Sequence, residues 1–227
     1  MRIAIACVLK TGGDFNEEYV ERLYQGIKSF SLLPFFHFIV LTNSRKKFSE
    51  GIRPVFMQHA EDLHGWWAQV ELFRPDVFRG YDRVVYFDLD TVIWRDIGFL
   101  TSYPGKFASL GRTGGHEHRG RIATGVMVWQ PSKMGYLWDF YKDNQEKFAK
   151  YMKPPIEGVD KSVALNFFEP GLKKWDDLHK LYPGKITNYK NNCLKKKIVP
   201  EDSSVVCFHC KPRPRDVGWL DEWRKKE

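Results

Sequence analysis

Long apolar runs are missing from this sequence: none approaches the ~20 residues needed to span a bilayer. Residues 1–7 are too short for a secretory leader and read as a first strand. Both absences lead us to expect a cytoplasmic protein, with peripheral membrane contact left open. Cysteine is scarce too, with four residues, Cys7, Cys193, Cys207 and Cys210. Cys207 and Cys210 flank His209 in a C-x-x-C, a spacing open to zinc or redox chemistry, but no second pair stands at zinc-finger distance. Repeats, linkers and low-complexity tracts are absent, so residues 1–227 read as one domain with length enough for a sizeable core. Negative charge is in deficit: 36 basic residues face 28 acidic ones, a net charge of +8. Such an excess suits an anionic ligand, a nucleic acid or an anionic membrane surface. The basic residues are scattered apart from Lys195, Lys196 and Lys197, which argues against a nucleic-acid partner. A hydrophobic content of 43% and an aromatic content of 15% exclude a disordered chain.

The order of elements indicates an α/β fold. Residues 3–9 read as a strand, and the turn 10–13 leads to a helix near 16–32, with Asp14 and Glu17 as a capping box. Strands are expected at 35–42 and 53–57, then a short helix at 66–73. There, the adjacent Trp66 and Trp67 cannot share one face: either both are core, or one is core and the other lines a site. Further strands are expected at 106–110, 122–130 and 205–208, with helices near 133–150 and 158–169. Strand–helix–strand order implies a doubly wound, mostly parallel sheet, which binds ligands at the carboxyl ends of its strands. The loop 111–121, rich in Gly, His and Arg, reads either as an anion-binding lid or as a plain exposed loop. With residues 188–197 it is polar, and both segments are expected to be mobile without ligand.

The most informative stretch is residues 84–93, an apolar, β-branched and aromatic run interrupted by Asp88 and Asp90. Carboxylates at the end of a buried strand are costly unless they meet cations or donors. In extended chain, residues i and i+2 point the same way, so the two acids aim together while Leu89 turns into the core. Two hard oxygen donors on one side suit a divalent cation. The alternative is a solvated loop or helix start that happens to carry two acids.

Four segments together resemble the GT-A-fold nucleotide-sugar glycosyltransferases, especially family 8 and its glycogenin and bacterial galactosyltransferase relatives. Residues 86–90 are similar to the family's D-x-D strand and 123–128 to its Asn-Ala-Gly strand. Asp160 through Leu165 and Asn166 resembles its Asp-Gln…Leu-Asn helix, and 208–212 its C-terminal His…Lys-Pro segment. The resemblance spans nearly the whole chain in the right order. It implies a Rossmann-like mixed, mostly parallel sheet flanked by helices, and a retaining transfer of sugar from a nucleoside-diphosphate sugar, with UDP the expected nucleotide, to a hydroxyl acceptor such as a glycan. It implies Mn²⁺, with Mg²⁺ as the alternative, held by Asp88, Asp90 and His209. Donor contacts fall on Asp88, Leu89, Asp90, Thr124 and Gly125, the phosphates on Lys211 and Arg213, and the base near Val8, Leu9 and Thr11. Asp160 and Lys161 fall on the catalytic, acceptor-facing side. The chain departs from the family at Gln69, a donor-site position where Lys is common, at Thr124 in place of Asn, and at the absent Gly between His209 and Lys211. The pair Asp160–Lys161 shifts to Lys161–Ser162 if aligned through Leu165 and Asn166.

One rival reading remains. Asp88, Asp90, Thr91 and Val92 also fit the D-x-D-x-V/T signature of haloacid-dehalogenase-type phosphatases, with Asp88 as nucleophile. That signature normally lies near the N-terminus and is followed by Gly, where this chain has Thr91.

Overall fold

The computed structural model describes residues 1–63, 65–112, 120–152, 162–209 and 211–218. Among them run strands β1 (Ile3–Leu9), β2 (His37–Thr42), β3 (Ile52–Phe56), β4 (Arg83–Phe87), β5 (Thr91–Ile93), β6 (Phe107–Gly111), β7 (Ile122–Trp129), β8 (Asp176–Asp177), β9 (Ile186–Asn188) and β10 (Val205–Cys207). Seven form one mixed sheet in the order β3-β2-β1-β4-β7-β6-β8, and three form a small sheet, β5-β10-β9. In the large sheet β3, β2, β1 and β4 are mutually parallel, as are β6 and β8, while β7 runs antiparallel to both its neighbours.

Strand periodicity sorts the core into two layers. On β1, Ile3, Ile5, Cys7 and Leu9 face one side and Ala4 and Ala6 the other. The first layer receives the helix α1 (Glu17–Phe30) through Tyr19, Val20, Leu23, Tyr24 and Ile27, spaced to form one helical stripe. The second layer is aromatic: Trp67, Phe73, Trp129, Trp138, Phe148, Phe167 and Phe168 interlock over the opposite face. A third cluster, with Tyr189 stacked on Phe208, belongs to the small sheet.

Several local expectations are corrected. The run 84–93 is two strands in different sheets: β4 and β5 are joined by a turn in which the Thr91 N–H donates to the Asp88 carbonyl, at 3.0 Å. The capping box of Asp14 and Glu17 does not form, because longer-range partners take both acids. Asn16 is the N-cap of α1 without a side-chain cap, Asp14 pairs with Arg213, and Glu17 accepts from the Ser44 hydroxyl and pairs with Lys46. The helix expected near 133–150 is three short helices, Pro131–Met134, Tyr136–Asp143 and Gln145–Met152. Of the helix expected at 158–169, residues 158–161 lie outside the described residues; the rest holds a π-helical turn, Ala164–Phe168, continued by Glu169–Gly171. The segment 188–197 has apolar anchors after all, in the buried Tyr189 and Cys193. No described helix is long and apolar enough to cross a membrane.

Candidate active site

The site begins where β4 ends. Tyr86 and Asp88 share one side of the strand, two residues apart, and the Tyr86 hydroxyl donates to Asp88 Oδ1 at 2.6 Å. The Gln69 amide donates to the same carboxylate oxygen at 2.9 Å and to the Tyr86 hydroxyl at 3.0 Å. Gln69 stands on a 3₁₀ helix, Gly65–Phe73, pinned from beneath by Glu71. The Glu71 carboxylate is fully buried; it accepts from the backbone N–H groups of Gln58 (2.9 Å) and His59 (2.7 Å) and pairs with Arg74. Strand parity therefore couples Asp88 to Tyr86 rather than to Asp90. The turn after β4 delivers Asp90 to the same cleft, where Arg213 Nη1 donates to its Oδ2 at 2.5 Å. The other end of that guanidinium bonds Asp14 at 2.9 Å, and its carbon lies 4.6 Å from the Phe15 ring centre.

Charge at this spot is under-compensated. Burial pushes the Asp88 carboxyl above its ordinary range, against the pull of Tyr86, Gln69 and Arg213. Burial, and then Asp88 itself, push Asp90 up, against the pull of Arg213. Directly beside β4 in the sheet, β7 passes with bare backbone at Gly125, whose carbonyl accepts from the Asp88 N–H at 2.9 Å. A Cβ at Gly125 would sit 3.5 Å from Asp88 Oδ2 and 3.9 Å from His209 Cε1, so the glycine leaves a gap between carboxylate and imidazole. His209 is solvent-exposed on its cleft side, yet the walls around it, with Lys190, Arg112 and His179, lower its pKa below the usual imidazole value.

Two carboxylates and an imidazole are the donor set of a borderline cation such as Mn²⁺. Among the described residues no three His, Cys, Asp or Glu side chains converge closely enough to hold a metal as they stand. The residues nonetheless fit one: two acids short of positive charge, a gap lined by Asp88 and His209, and Arg213 standing at Asp90 where a cation's charge is needed.

These groups open into a cleft of about 1000 Å³ at the carboxyl ends of β1 and β4. Of the residues picked from sequence, Val8, Thr11, Gln69, Asp88, Leu89, Asp90, Thr124, Gly125, His209 and Arg213 line it. Leu9 does not: it is fully buried in the core on the α1 side, because its parity on β1 is opposite to that of Val8. Lys211 is exposed and is not part of the lining. Asp160, Lys161 and Cys210 lie outside the described residues, as do residues 113–119 of the expected lid. At the base of that loop Arg112 lines the cleft and its Nη2 donates to the Ser162 hydroxyl oxygen at 2.9 Å, while Arg121 pairs with Glu169. Cys207 is a buried free thiol. Tyr86 and Asn43 are additions to the sequence reading. Tyr86 could have been found by the parity argument applied two residues upstream; Asn43, which accepts the Thr11 N–H at 2.8 Å, left no signal.

No protein-family model and no curated protein sequence matches the chain. Solved structures do. The galactosyltransferase LgtC in complex with donor and acceptor sugar analogs is similar with a TM-score of 0.65 and 13% identity, covering 99% of this chain and 100% of that one. The apo-form glycosyltransferase GlyE of Streptococcus pneumoniae TIGR4 gives 0.58 and 14%, over 100% of this chain and 64% of its own. The bifunctional glycosyltransferase WbbM, also apo, gives 0.57 and 13%, over 94% of this chain and 46% of its own. At such identities the likeness establishes the fold, which is the mixed α/β GT-A fold with its mostly parallel sheet. The likeness to solved glycosyltransferase structures does not favour the phosphatase alternative.

Proposed function

We propose that this GT-A chain is a metal-dependent glycosyltransferase. It takes a sugar from a nucleoside-diphosphate sugar, with UDP as the nucleotide, and passes it to a hydroxyl of a glycan, with retention of configuration. The observation that carries this reading is the under-compensated pair Asp88 and Asp90 on the cleft floor, facing His209 across the bare backbone of Gly125. Asp88, Asp90 and His209 would hold Mn²⁺, or Mg²⁺ in its place. When bound, the ion neutralises the charge that gathers on the departing diphosphate.

The protein's own groups have definable tasks. Tyr86 and Gln69 fix the Asp88 carboxylate in one orientation, so little reorganisation is left for the moment of reaction. Gln69 stands where a lysine is common in the resembling family; its amide serves the metal ligand rather than a phosphate. Arg213 and Arg112 supply fixed positive charge on two sides of the cleft, suited to a diphosphate. Val8 and Thr11 offer the apolar and hydrogen-bonding edge for a base. Thr124 and Gly125 let the donor lie close against β7. Asp160 and Lys161 remain sequence candidates for the acceptor-facing acid and its neighbour. A cytoplasmic location, with access to nucleotide-sugars and a membrane surface, is compatible with the net charge.

The test is a panel of nucleotide-sugars incubated with the protein and Mn²⁺, with released nucleoside diphosphate as the readout. Release from one donor, abolished by EDTA, is expected. Rapid hydrolysis of a generic phosphomonoester without nucleotide-sugar turnover would replace this reading by the phosphatase one.

A further inference from the structure

The two tryptophans of the 66–67 pair have different environments. Trp67 is packed into the aromatic layer, stacked on Tyr151 at an interplanar angle of 6°. Trp66 is 64% exposed. Of the six described tryptophans it is the one left open to solvent; Trp67, Trp94, Trp129 and Trp138 are buried and Trp175 is half-buried. Exposing an indole forfeits one of the largest apolar burials a side chain offers, so its position calls for a reason. It lies in the wall of the cleft, not on an outer surface.

The 3₁₀ geometry gives the position meaning. With three residues per turn, side chains at i and i+3 eclipse. Trp66 therefore stands directly in line with Gln69, roughly 6 Å farther along the helix axis. Gln69 is buried and bonded to Asp88. The same face of one short helix thus carries a floor group that holds the candidate metal ligand and, one turn outward, a flat aromatic surface. Beside it the cleft has room: among the described residues, and chain neighbours apart, no atom lies within 4 Å of a Cβ built on Gly65, Gly12 or Gly13, all of which line the same cleft.

We infer that Trp66 is the stacking platform for the pyranose ring of the acceptor, an inference that rests on the transferase reading and names its second substrate class. A neutral pyranose presents a face of C–H bonds that packs on an indole, while its hydroxyls stay hydrated or bonded at the rim. The place suits the acceptor better than the donor. The donor's reacting end must sit by the diphosphate site and be shielded from water. An acceptor glycan enters from solvent and needs only its terminal ring held, and an exposed aromatic one turn from Gln69 does that. Trp66 is a positioning residue and takes no part in bond making.

The experiment uses the full chain saturated with UDP and Mn²⁺ and a panel of methyl pyranosides of glucose, galactose, mannose and N-acetylglucosamine. Saturation-transfer NMR reads sugar binding, and calorimetry reads UDP affinity separately. At least one pyranoside is expected to show transfer concentrated on the ring protons of one face. Trp66→Ala should weaken that sugar tenfold or more, Trp66→Phe should retain part of the affinity, and UDP affinity should change less than twofold in either. Thermal melts check that both variants fold, which the exposure of the side chain leads us to expect. A sugar signal indifferent to Trp66, or no pyranoside bound by a wild type that binds UDP, overturns the platform alone. A tenfold loss of UDP affinity in Trp66→Ala reassigns the ring to the nucleotide and also overturns it. No UDP binding by the wild type defeats the transferase reading and the platform with it.

Discussion

Glu71 is the keystone beneath the cleft wall, and removing it gives the sharpest stability prediction. Its carboxylate has no exposure and three partners: the N–H groups of Gln58 and His59, and the guanidinium of Arg74. Arg74 is itself buried and keeps a second partner in Asp76, at 2.8–2.9 Å. Glu71→Ala leaves two N–H groups without acceptors and half of a buried ion pair without its mate. Breaking a buried pair in this way costs about 3–5 kcal/mol, and the orphaned N–H groups, at ~1–3 kcal/mol each, overlap with that figure rather than adding to it. For a chain of this size, each kcal/mol moves the melting temperature by about 2–4 °C. Glu71→Ala should therefore melt roughly 6–20 °C lower than wild type. Glu71→Gln keeps an acceptor for one N–H and should lose about half as much. The double variant Glu71→Gln with Arg74→Met removes the stranded charge and should recover part of the loss, since an apolar replacement of a whole buried pair is often tolerated. Thermal unfolding followed by circular dichroism for the four proteins decides it. A drop smaller than 2 °C in Glu71→Ala would refute the reasoning, because water or a neighbour would then be satisfying the groups that the structure leaves to Glu71.

Asp90→Asn should abolish metal-dependent turnover and leave the melting temperature within a few degrees of wild type; full activity in that variant, or in EDTA, would remove the metal from the mechanism. Glu17 gives a pH signature. The Ser44 hydroxyl bond, its own backbone N–H and Lys46 hold its pKa down at about 2. Its stabilisation is thus complete above the ordinary carboxylate pKa and is lost as pH falls through about 2. Glu17→Gln should melt lower than wild type at pH 7, and the gap should shrink on acidification below pH ~4.5; a gap constant with pH would contradict this. Asp160→Asn separates two roles: a rate loss of roughly a hundredfold at unchanged melting temperature marks a group at the reaction centre. Near-normal turnover with a small stability loss marks a helix-end carboxylate.

The fold was legible where periodicity is local. The alternation in β1 and the helical stripe of α1 state their own burial, and β1, α1, β2 and β3 fall within a few residues of expectation. The errors share a cause. The run 84–93 looks like one strand because both its halves are apolar; that the halves join different sheets depends on β10, more than a hundred residues away. Asp14 and Glu17 have capping-box spacing, but Arg213, Ser44 and Lys46 are stronger partners and are invisible in the local sequence. At the site, Asp88 and Asp90 were found for a partly mistaken reason. The extended-chain argument holds for Tyr86 and Asp88; Asp90 is brought in by a turn. The resemblance puts Leu9 beside the base, whereas its parity on β1 puts it in the core. In the sequence Gln69 is only a departure from the lysine common at that position, and its bond to Asp88 appears only once helix and strand meet.

Arg213 joins Asp90 and Asp14, partners that precede it by 123 and 199 residues. On a ribosome the two acids emerge long before the guanidinium that bridges them. Strands β1, β2, β3 and β4 are parallel and contiguous in the sheet, and can pair while β10 and Arg213 are still unsynthesised. The nascent chain thus passes through a stage with a sheet and two unneutralised carboxylates but no closed cleft. His209 and Arg213 are the late arrivals among the site groups, and a message broken before them would yield a protein with most of its sheet and the acids of the cleft without their imidazole and guanidinium partners.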